Sequence, residues 1–438
     1  MDNLKCRFSI ATLGCKTNQF ESAAMEETLR AAGYAPVAFE LGADLVIVNT
    51  CTVTSATDSQ SRKLIRRARR INPACRIVVT GCYAQIDPAA LADLPGVVLV
   101  IGNGEKRDLL RLLSETGPKV QVGDMRHQTG PALSLSSFSG RSRAFAQIQN
   151  GCDAYCSYCI IPYARGASRS VPPDQVLEQV RQLVKSGFQE VVLTGIHIGG
   201  YGRDLAEPGS LLKLLRRIEL ETDLTRLRLG SIEPQELEDS LIEQVACSSI
   251  LCPHFHVPLQ SGDDAVLRRM NRHYGRDFFA ERISKISAWI PDAAIGMDVI
   301  TGFPGETEEE FAATRDLIEA LPVSYLHVFP FSRRPGTPAA RFPDPVPGPR
   351  ARERAALLRR IGEKKQQDYA CRFVGRQLQV VVEGGRYRGL CKGLSDNYLS
   401  VIFPAPQGLE GALKAVQVDG FDGGSLRGRL VANTETVP

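Results

Sequence analysis

The sequence predicts an α/β protein in three parts: an N-terminal parallel sheet with helices on both faces, an open, partial (β/α)6 barrel, and a small C-terminal all-β barrel. Three observations predict it. Short β-branched runs alternate with helical patterns from residue 7 to 113 and again from 144 to 331, which is how helix-covered parallel sheets read. Gly, Ser and Pro crowd residues 115–143, as in a linker or surface loop. From Phe373 onward, short alternating runs are separated by glycines, the texture of a small β unit. A chain of 438 residues exceeds what one core usually serves. The expected parts are residues 4–116, a linker at 117–143, residues 144–370 and residues 371–434.

In the first part strands are expected at 7–13, 44–49, 76–80 and 97–101, with helices at 18–32, 57–71 and 105–113. Cys15, Cys51 and Cys82 each lie two residues beyond one of the first three strands. A parallel sheet therefore gathers them at its carboxyl edge, where open α/β sheets bind ligands. Three buried structural cysteines at similar offsets are the alternative, since cysteine is often a core residue.

In the second part six strands are expected, at 144–149, 190–194, 226–231, 254–259, 296–301 and 325–331. The clearest helices between them are 174–186, 210–220, 234–247 and 307–321, several opening with Pro, Asp or Ser. The C-terminal face of such a barrel carries its chemistry. Residues 332–349 hold six prolines and lead into a basic helix at 350–369.

Directly after the first barrel strand, Cys152, Cys156 and Cys159 stand four and three positions apart. Three thiolates on so short a loop suit an iron–sulfur cluster or zinc. No fourth ligand follows nearby. A structural zinc site closes with four ligands, whereas an iron left one ligand short can chelate a small molecule.

Composition excludes little but directs the chemistry. Lys and Arg number 53 against 49 Asp and Glu, a net charge of +4 that does not by itself announce nucleic acid. No stretch approaches the apolar length of a membrane span, and residues 1–6 lack a basic segment followed by an apolar run, so a cytoplasmic protein is expected. Twelve cysteines in a cytosolic chain point to metal or catalytic use rather than disulfides.

The Cys152 loop, with its C-x3-C-x2-C spacing, resembles that of the radical S-adenosylmethionine (SAM) enzymes. Adding Thr12 to Asn18, Asn49-Thr50-Cys51, Thr80-Gly81-Cys82 and Cys152 to Gly166, the chain resembles the methylthiotransferases of that superfamily over essentially its whole length. The resemblance implies a TIM-like radical SAM barrel whose Cys152, Cys156 and Cys159 hold a SAM-cleaving [4Fe–4S] cluster, with Cys15, Cys51 and Cys82 holding an auxiliary one. It also implies that the C-terminal part is a TRAM domain that binds RNA. The chemistry explains the equipment. An aromatic C–H has neither an acidic proton nor a leaving group, so acid–base catalysis cannot install sulfur there, whereas a carbon-centred radical can. One SAM would generate that radical and a second would methylate the sulfur, while the protein supplies binding, orientation and exclusion of water. No catalytic residue beyond the cluster ligands is expected.

The resemblance places Thr194-Gly195 at a turn for the methionyl amine and Tyr158 near the adenine. Ser231, Glu233, Gln260 and Asp298 fall at or beyond later strand ends, as SAM contacts or as capping residues. A rival zinc set, Cys247, Cys252, His254 and His256, has soft ligand types close together, but Pro253 and the match of residues 256–262 to a barrel segment of the family favour a structural role.

Three substrates are open within the family: N6-threonylcarbamoyladenosine 37 of tRNA, N6-isopentenyladenosine of tRNA, and an aspartate of a ribosomal protein. The 57–71 helix carries Arg62, Lys63, Arg66, Arg67, Arg69 and Arg70 with no acidic residue among them. Such a stripe suits a phosphate backbone, with Arg62, Arg66, Arg69 and Arg70 as the RNA contacts, though a solvated helix face is the common alternative. Cys15-Lys16-Thr17-Asn18 and Cys159 to Gly166 resemble the threonylcarbamoyladenosine branch, with Thr17 where Val is commoner. The expected partners are the tRNA anticodon stem-loop, a reducing electron-donor protein and a sulfur source, with no membrane. An RNA-binding iron–sulfur protein without activity is the alternative from another class.

Overall fold

The computed structural model describes residues 6–125, 133, 135, 138, 140–207, 209–387 and 389–431. Residues 4–5, 432–434 and, within the expected linker, 126–132, 134, 136, 137 and 139 lie outside the described residues.

The chain opens with β1 (Arg7–Thr12), α1 (Lys16–Ala31), β2 (Ala35–Pro36), β3 (Leu45–Thr50), α2 (Ser55–Ile71), β4 (Arg76–Gly81), α3 (Cys82–Ile86), α4 (Pro88–Ala92), β5 (Val97–Ile101), α5 (Leu109–Ser114) and β6 (Val120–Gln121). Its strands form one parallel sheet in the order β2-β1-β3-β4-β5-β6. Both faces are buried, which is why β3 and β4 read as continuous apolar runs. Val46, Val48, Ile77 and Val79 pack on one side and Leu45, Ile47 and Val78 on the other. Chain order reverses between β1 and β3, the switch point at which doubly wound sheets open a crevice.

Next come β7 (Ala144–Gln147), β8 (Gln149–Asn150), α6 (Ile161–Arg165), β9 (Arg169–Ser170), α7 (Pro173–Lys185), β10 (Glu190–Thr194), α8 (Leu211–Glu221), β11 (Arg226–Arg228) and α9 (Asp239–Cys247). They are followed by β12 (His254–His256), α10 (Asp264–Arg269), α11 (Arg276–Trp289), β13 (Ala294–Thr301), α12 (Glu308–Ala320) and β14 (Tyr325–Pro330). Parallel triplets β7-β10-β11 and β12-β13-β14 are joined by bridges Leu227↔Leu251 and Ser231↔His256. Six parallel strands in chain order therefore curve into an open barrel, with no pairing between β7 and β14 among the described residues. The ribbon β8–β9 brackets the Cys152 loop.

The long helix α13 (Gly348–Cys371) covers β14, where Gly362 lets the backbone approach Leu326. Beyond it β15 (Gln377–Tyr387), β16 (Leu390–Ser395), β17 (Ser400–Phe403), β18 (Leu413–Asp422) and β19 (Ser425–Leu430) close a barrel in the order β15-β16-β17-β19-β18. The expected fold class is the observed one.

Differences from expectation are local. The strands expected at 226–231 and 254–259 pair over only three residues each; just beyond β12, Pro258 has no N–H to give to a ladder. The expected helices at 105–113 and 234–247 each begin as a 3-10 turn before α5 and α9. Edge strands β2 and β6 span two residues apiece, too short to leave a period in the sequence.

Candidate functional site

The three strands that precede Cys15, Cys51 and Cys82 are neighbours in the sheet, and their carboxyl ends are level: Thr12 pairs with Asn49 and Thr50 with Gly81. Cys51 and Cys82 follow their strands at once, and Cys15 stands immediately before α1. Two glycines make the gathering possible. A Cβ on Gly14 would lie 2.9 Å from Cys51 Sγ, and one on Gly81 would lie 2.3 Å from the Thr50 carbonyl oxygen. Both have φ well into the positive region, at 96° and 98°, where side chains are disfavoured. Asn18 holds the rim by donating to the Leu13 and Thr50 carbonyls at 2.7 and 3.0 Å.

The second triad is held from both sides. Arg272 Nη1 donates to Cys156 Sγ at 3.3 Å, and the same guanidinium is clamped by Glu233 and by the Tyr274 hydroxyl. His197 Nδ1 stands 3.9 Å from Cys152 Sγ while its Nε2 lies 2.8 Å from Glu236. Neither Arg272 nor His197 could be singled out from sequence, since each follows a different strand and neither sits in a cysteine motif. Burial pushes the Cys51 thiol up to about 11 and the Cys159 thiol up to about 12, so both wait for a metal to take their proton's place.

The two triads are bolted together. Asn103 Nδ2 donates to the Ala164 carbonyl at 2.8 Å and lies 3.9 Å from Cys82 Sγ. Arg165, six residues after Cys159, donates to Asn18 Oδ1 at 2.6 Å and to Glu21 at 2.7 and 3.2 Å. Lys106 completes a buried charge cluster with Glu21. On the opposite flank Arg334, beyond β14, pairs with Asp58 of α2 and with Thr52, both at 2.7 Å.

Of the residues expected around SAM, Thr194 is buried at the end of β10, and the turn through Gly195 is held by Ile196 and His197 N–H donation to Gln149 Oε1. Tyr158 packs against the Val266, Met270 and Phe303 cluster. Glu233 is engaged by Arg272, and Ser231 is exposed beside His256. Gln260 has a left-handed backbone, φ 63°, and forms a bridge to Val299 of β13 four residues beyond the end of β12. Asp298 Oδ1 lies 3.1 Å from His256 Nε2 and 3.3 Å from His327 Nδ1. Burial opposes its charge, but the two imidazoles hold its carboxyl far below the usual range. The set Cys247, Cys252, His254 and His256 is not brought together: His254 bonds the Tyr325 hydroxyl at 2.8 Å and stacks on Tyr398.

Along α2, Arg62 donates to the Tyr83 hydroxyl at 2.6 Å, next to Cys82, while Arg66, Arg69 and Arg70 are exposed. These three make no ion pair among the described residues. The stripe thus runs outward from the cysteine edge. In α13, by contrast, Arg350 and Arg354 pair with Glu306, Glu308 and Glu353, and Arg359 donates to the Val328 carbonyl.

Residues 7–102 match the family described as "Uncharacterized protein family UPF0004", and residues 146–318 match the radical SAM superfamily. The chain is 40% identical to the threonylcarbamoyladenosine tRNA methylthiotransferase MtaB of Bacillus subtilis, covering 93% of this chain and 92% of that one. It is 42% identical to the MtaB of Rickettsia prowazekii over 86% and 88% of the two chains. The chain belongs to the radical SAM tRNA methylthiotransferases. A tRNA-2-methylthio-N(6)-dimethylallyladenosine synthase of Desulfitobacterium hafniense is 32% identical to this methylthiotransferase over 96% of both chains. Among solved structures, the radical SAM methyltransferase TsrM of Kitasatospora setae superposes with a TM-score of 0.57 at 17% identity, over 77% of each chain, which shows a shared fold. No helix of the described residues is long and apolar enough to cross a membrane.

The cofactors of this methylthiotransferase are SAM and two [4Fe–4S] clusters, and both triads fit the clusters. Thiolates on one zinc ion stand roughly 3.8 Å apart, given Zn–S bonds of about 2.3 Å. Among the described residues, the side chains that gather ligand atoms within 4.8 Å of one another are His256, Asp298 and His327; neither cysteine triad is that tight. Three soft ligands in each triad suit a cubane with one iron free. Bound there, these groups would supply a carbon radical and an activated sulfur, and the chain's own residues would orient them. Arg272 directs an N–H group at the sulfur of Cys156 and His197 Nδ1 lies 3.9 Å from that of Cys152; contacts of this kind would help set the potential of a bound cluster. The Asn103 and Arg165 bolts fix one triad against the other, so groups held by the two would keep one relative geometry.

Proposed function

We propose that this enzyme inserts a methylthio group at C2 of N6-threonylcarbamoyladenosine 37 in tRNA. The observation that carries the substrate choice is the identity of 40 and 42% to two relatives named for threonylcarbamoyladenosine, against 32% to one named for dimethylallyladenosine. The wording Cys15-Lys16-Thr17-Asn18 supports the same choice. In this proposal Cys152, Cys156 and Cys159 hold the SAM-cleaving cluster and Cys15, Cys51 and Cys82 the auxiliary one. Residues 4–116, 144–370 and 371–434 act as the sulfur-delivering, radical-generating and RNA-binding parts, joined by 117–143. Thr194, Gly195, Tyr158, Ser231, Glu233, Gln260 and Asp298 surround SAM. Arg62, Arg66, Arg69 and Arg70 receive phosphates of the anticodon stem-loop. A cytoplasmic electron-donor protein and a separate sulfur source complete the cycle.

Mass spectrometry of tRNA nucleosides from cells with and without this protein tests the proposal. Loss of the methylthio form of threonylcarbamoyladenosine alone is expected. Loss of the methylthio isopentenyl nucleoside instead would overturn the substrate assignment.

A further inference from the structure

Lys16 is the first residue of α1 and the direct neighbour of Cys15. A cation is unfavourable at a helix N-terminus, where the backbone already presents partial positive charge. Among the described residues its ammonium makes no hydrogen bond and no ion pair, although it is partly buried. The charged groups it feels are Arg228, Arg143 and Glu190, on or beside the first three barrel strands, together with Cys15. Glu190 is already committed: Arg228 Nε donates to it at 2.7 Å and Arg143 approaches to 3.7 Å. Arg143 is held more closely by Glu383, at 3.0 Å, so among the described residues Lys16 is left without a carboxylate of its own between the auxiliary triad and the barrel. Arg143 also lines a cavity of about 360 Å³ with Tyr325, His327 and Tyr398.

We infer that Lys16 binds the carboxylate of the threonyl arm and so selects the substrate nucleoside. This rests on the substrate proposed above. The chemistry of the purine favours it: C2 and the N6 substituent flank N1 on one edge of the base, so an arm on N6 lies on the same side as the carbon to be modified. When C2 faces the auxiliary cluster, the arm's carboxylate faces the residues bordering that cluster. Cys15-Lys16 puts a cation there. An isopentenyl arm has no charge to offer it and would leave the ammonium desolvated and unpaired.

The rival role for Lys16 is to balance the negative charge of the neighbouring cluster, and the test separates the two. Reconstituted wild type, Lys16→Gln and Lys16→Arg are assayed on anticodon stem-loops carrying threonylcarbamoyladenosine or its threonyl amide, which differs only in lacking the carboxylate charge. Iron content and the visible spectrum check both clusters. Wild type should prefer the acid over the amide by about ten- to a hundred-fold in kcat/KM, as expected for a charge-assisted hydrogen bond. Lys16→Gln should bring the two within about threefold, through a raised KM for the acid, and Lys16→Arg should restore most of the preference. A Lys16→Gln enzyme that keeps the preference, or that slows equally on acid and amide, overturns the inference and assigns Lys16 to the cluster. Failure of the wild type to act on either stem-loop, while it modifies an isopentenyl one, overturns the substrate proposal itself.

Discussion

Arg165 Nη1 donates to Glu21 Oε1 at 2.7 Å, with neither side chain more than 3% exposed. The pair joins the helix that begins beside Cys15 to the helix that follows Cys159. Lys106 takes the other carboxylate oxygen and Asn18 the other end of the guanidinium. Removing one partner of such a pair strands the others without water. Arg165→Met should cost about 3–5 kcal/mol in urea denaturation of the apoprotein. Adding Glu21→Gln to it should recover part of that loss, because the two residues act as a unit. A denaturation midpoint unmoved by Arg165→Met would show that the pair holds nothing together.

Burial alone would raise the Glu21 carboxyl, but Arg165 and Lys106 hold it down to about 2, against 4.5 ordinarily. A depressed folded-state value stabilises the protein above the unfolded value and is lost as pH falls through the folded one. Stability should therefore decline between about pH 4.5 and pH 2. Following the thermal midpoint of wild type and Glu21→Gln across that range checks it: the wild-type slope should be steeper.

Much of this was legible in the sequence because it was periodic or spaced. The strands at 76–81, 97–101 and 190–194 show as β-branched runs, and the cysteines show by their offsets from strand ends. What stayed hidden depends on distance in the chain. Arg165 sits inside a motif that resemblance picked out, yet nothing local says that its partners are Asn18 and Glu21. Arg272 and His197 stand in ordinary loops and meet sulfur only after the barrel curves. The sequence shows α13 as a basic helix, but its arginines at 350 and 354 are paired with Glu306 and Glu308, just before and at the start of α12.

The two triads should fail in different ways. Replacing Cys15, Cys51 and Cys82 by Ala should leave about four of about eight irons and preserve 5′-deoxyadenosine formation, while abolishing methylthio transfer. Replacing Cys152, Cys156 and Cys159 should abolish both reactions and also leave about four irons. Iron assay and product chromatography on reconstituted protein distinguish these outcomes; equal loss of 5′-deoxyadenosine in both would contradict the division of labour.

Gly81→Ala puts a methyl group 2.3 Å from the Thr50 oxygen at φ +98°. The strain of about 1–3 kcal/mol or more should be relieved by pulling β4 from β3, which moves Cys82 away from Cys51. We expect a variant that folds less stably and binds roughly half the iron of wild type, with 5′-deoxyadenosine formation retained. Full iron loading would show that the cysteine edge tolerates the movement.

Replacing Arg66, Arg69 and Arg70 by Ala should weaken tRNA binding for all sequences alike. The slope of log affinity against log salt should fall by about 3, close to one for each phosphate no longer neutralised. Filter binding at several salt concentrations reads it. An unchanged slope would mark the stripe as a solvated helix face.

The small β-barrel is fastened to the large one rather than tethered. Arg228 donates to the Asp396 and Ser395 carbonyls at 2.7 and 3.0 Å, the Tyr369 hydroxyl to the Asn397 carbonyl at 3.3 Å, and Tyr398 stacks on His254 with ring centres 4.2 Å apart. If this unit grips RNA, the span from grip to reacting carbon is a fixed length, and the protein works as a caliper. It would then choose its nucleotide by measuring along the stem-loop, so that a stem longer by one base pair would bring the wrong base to the clusters even with every other interaction intact.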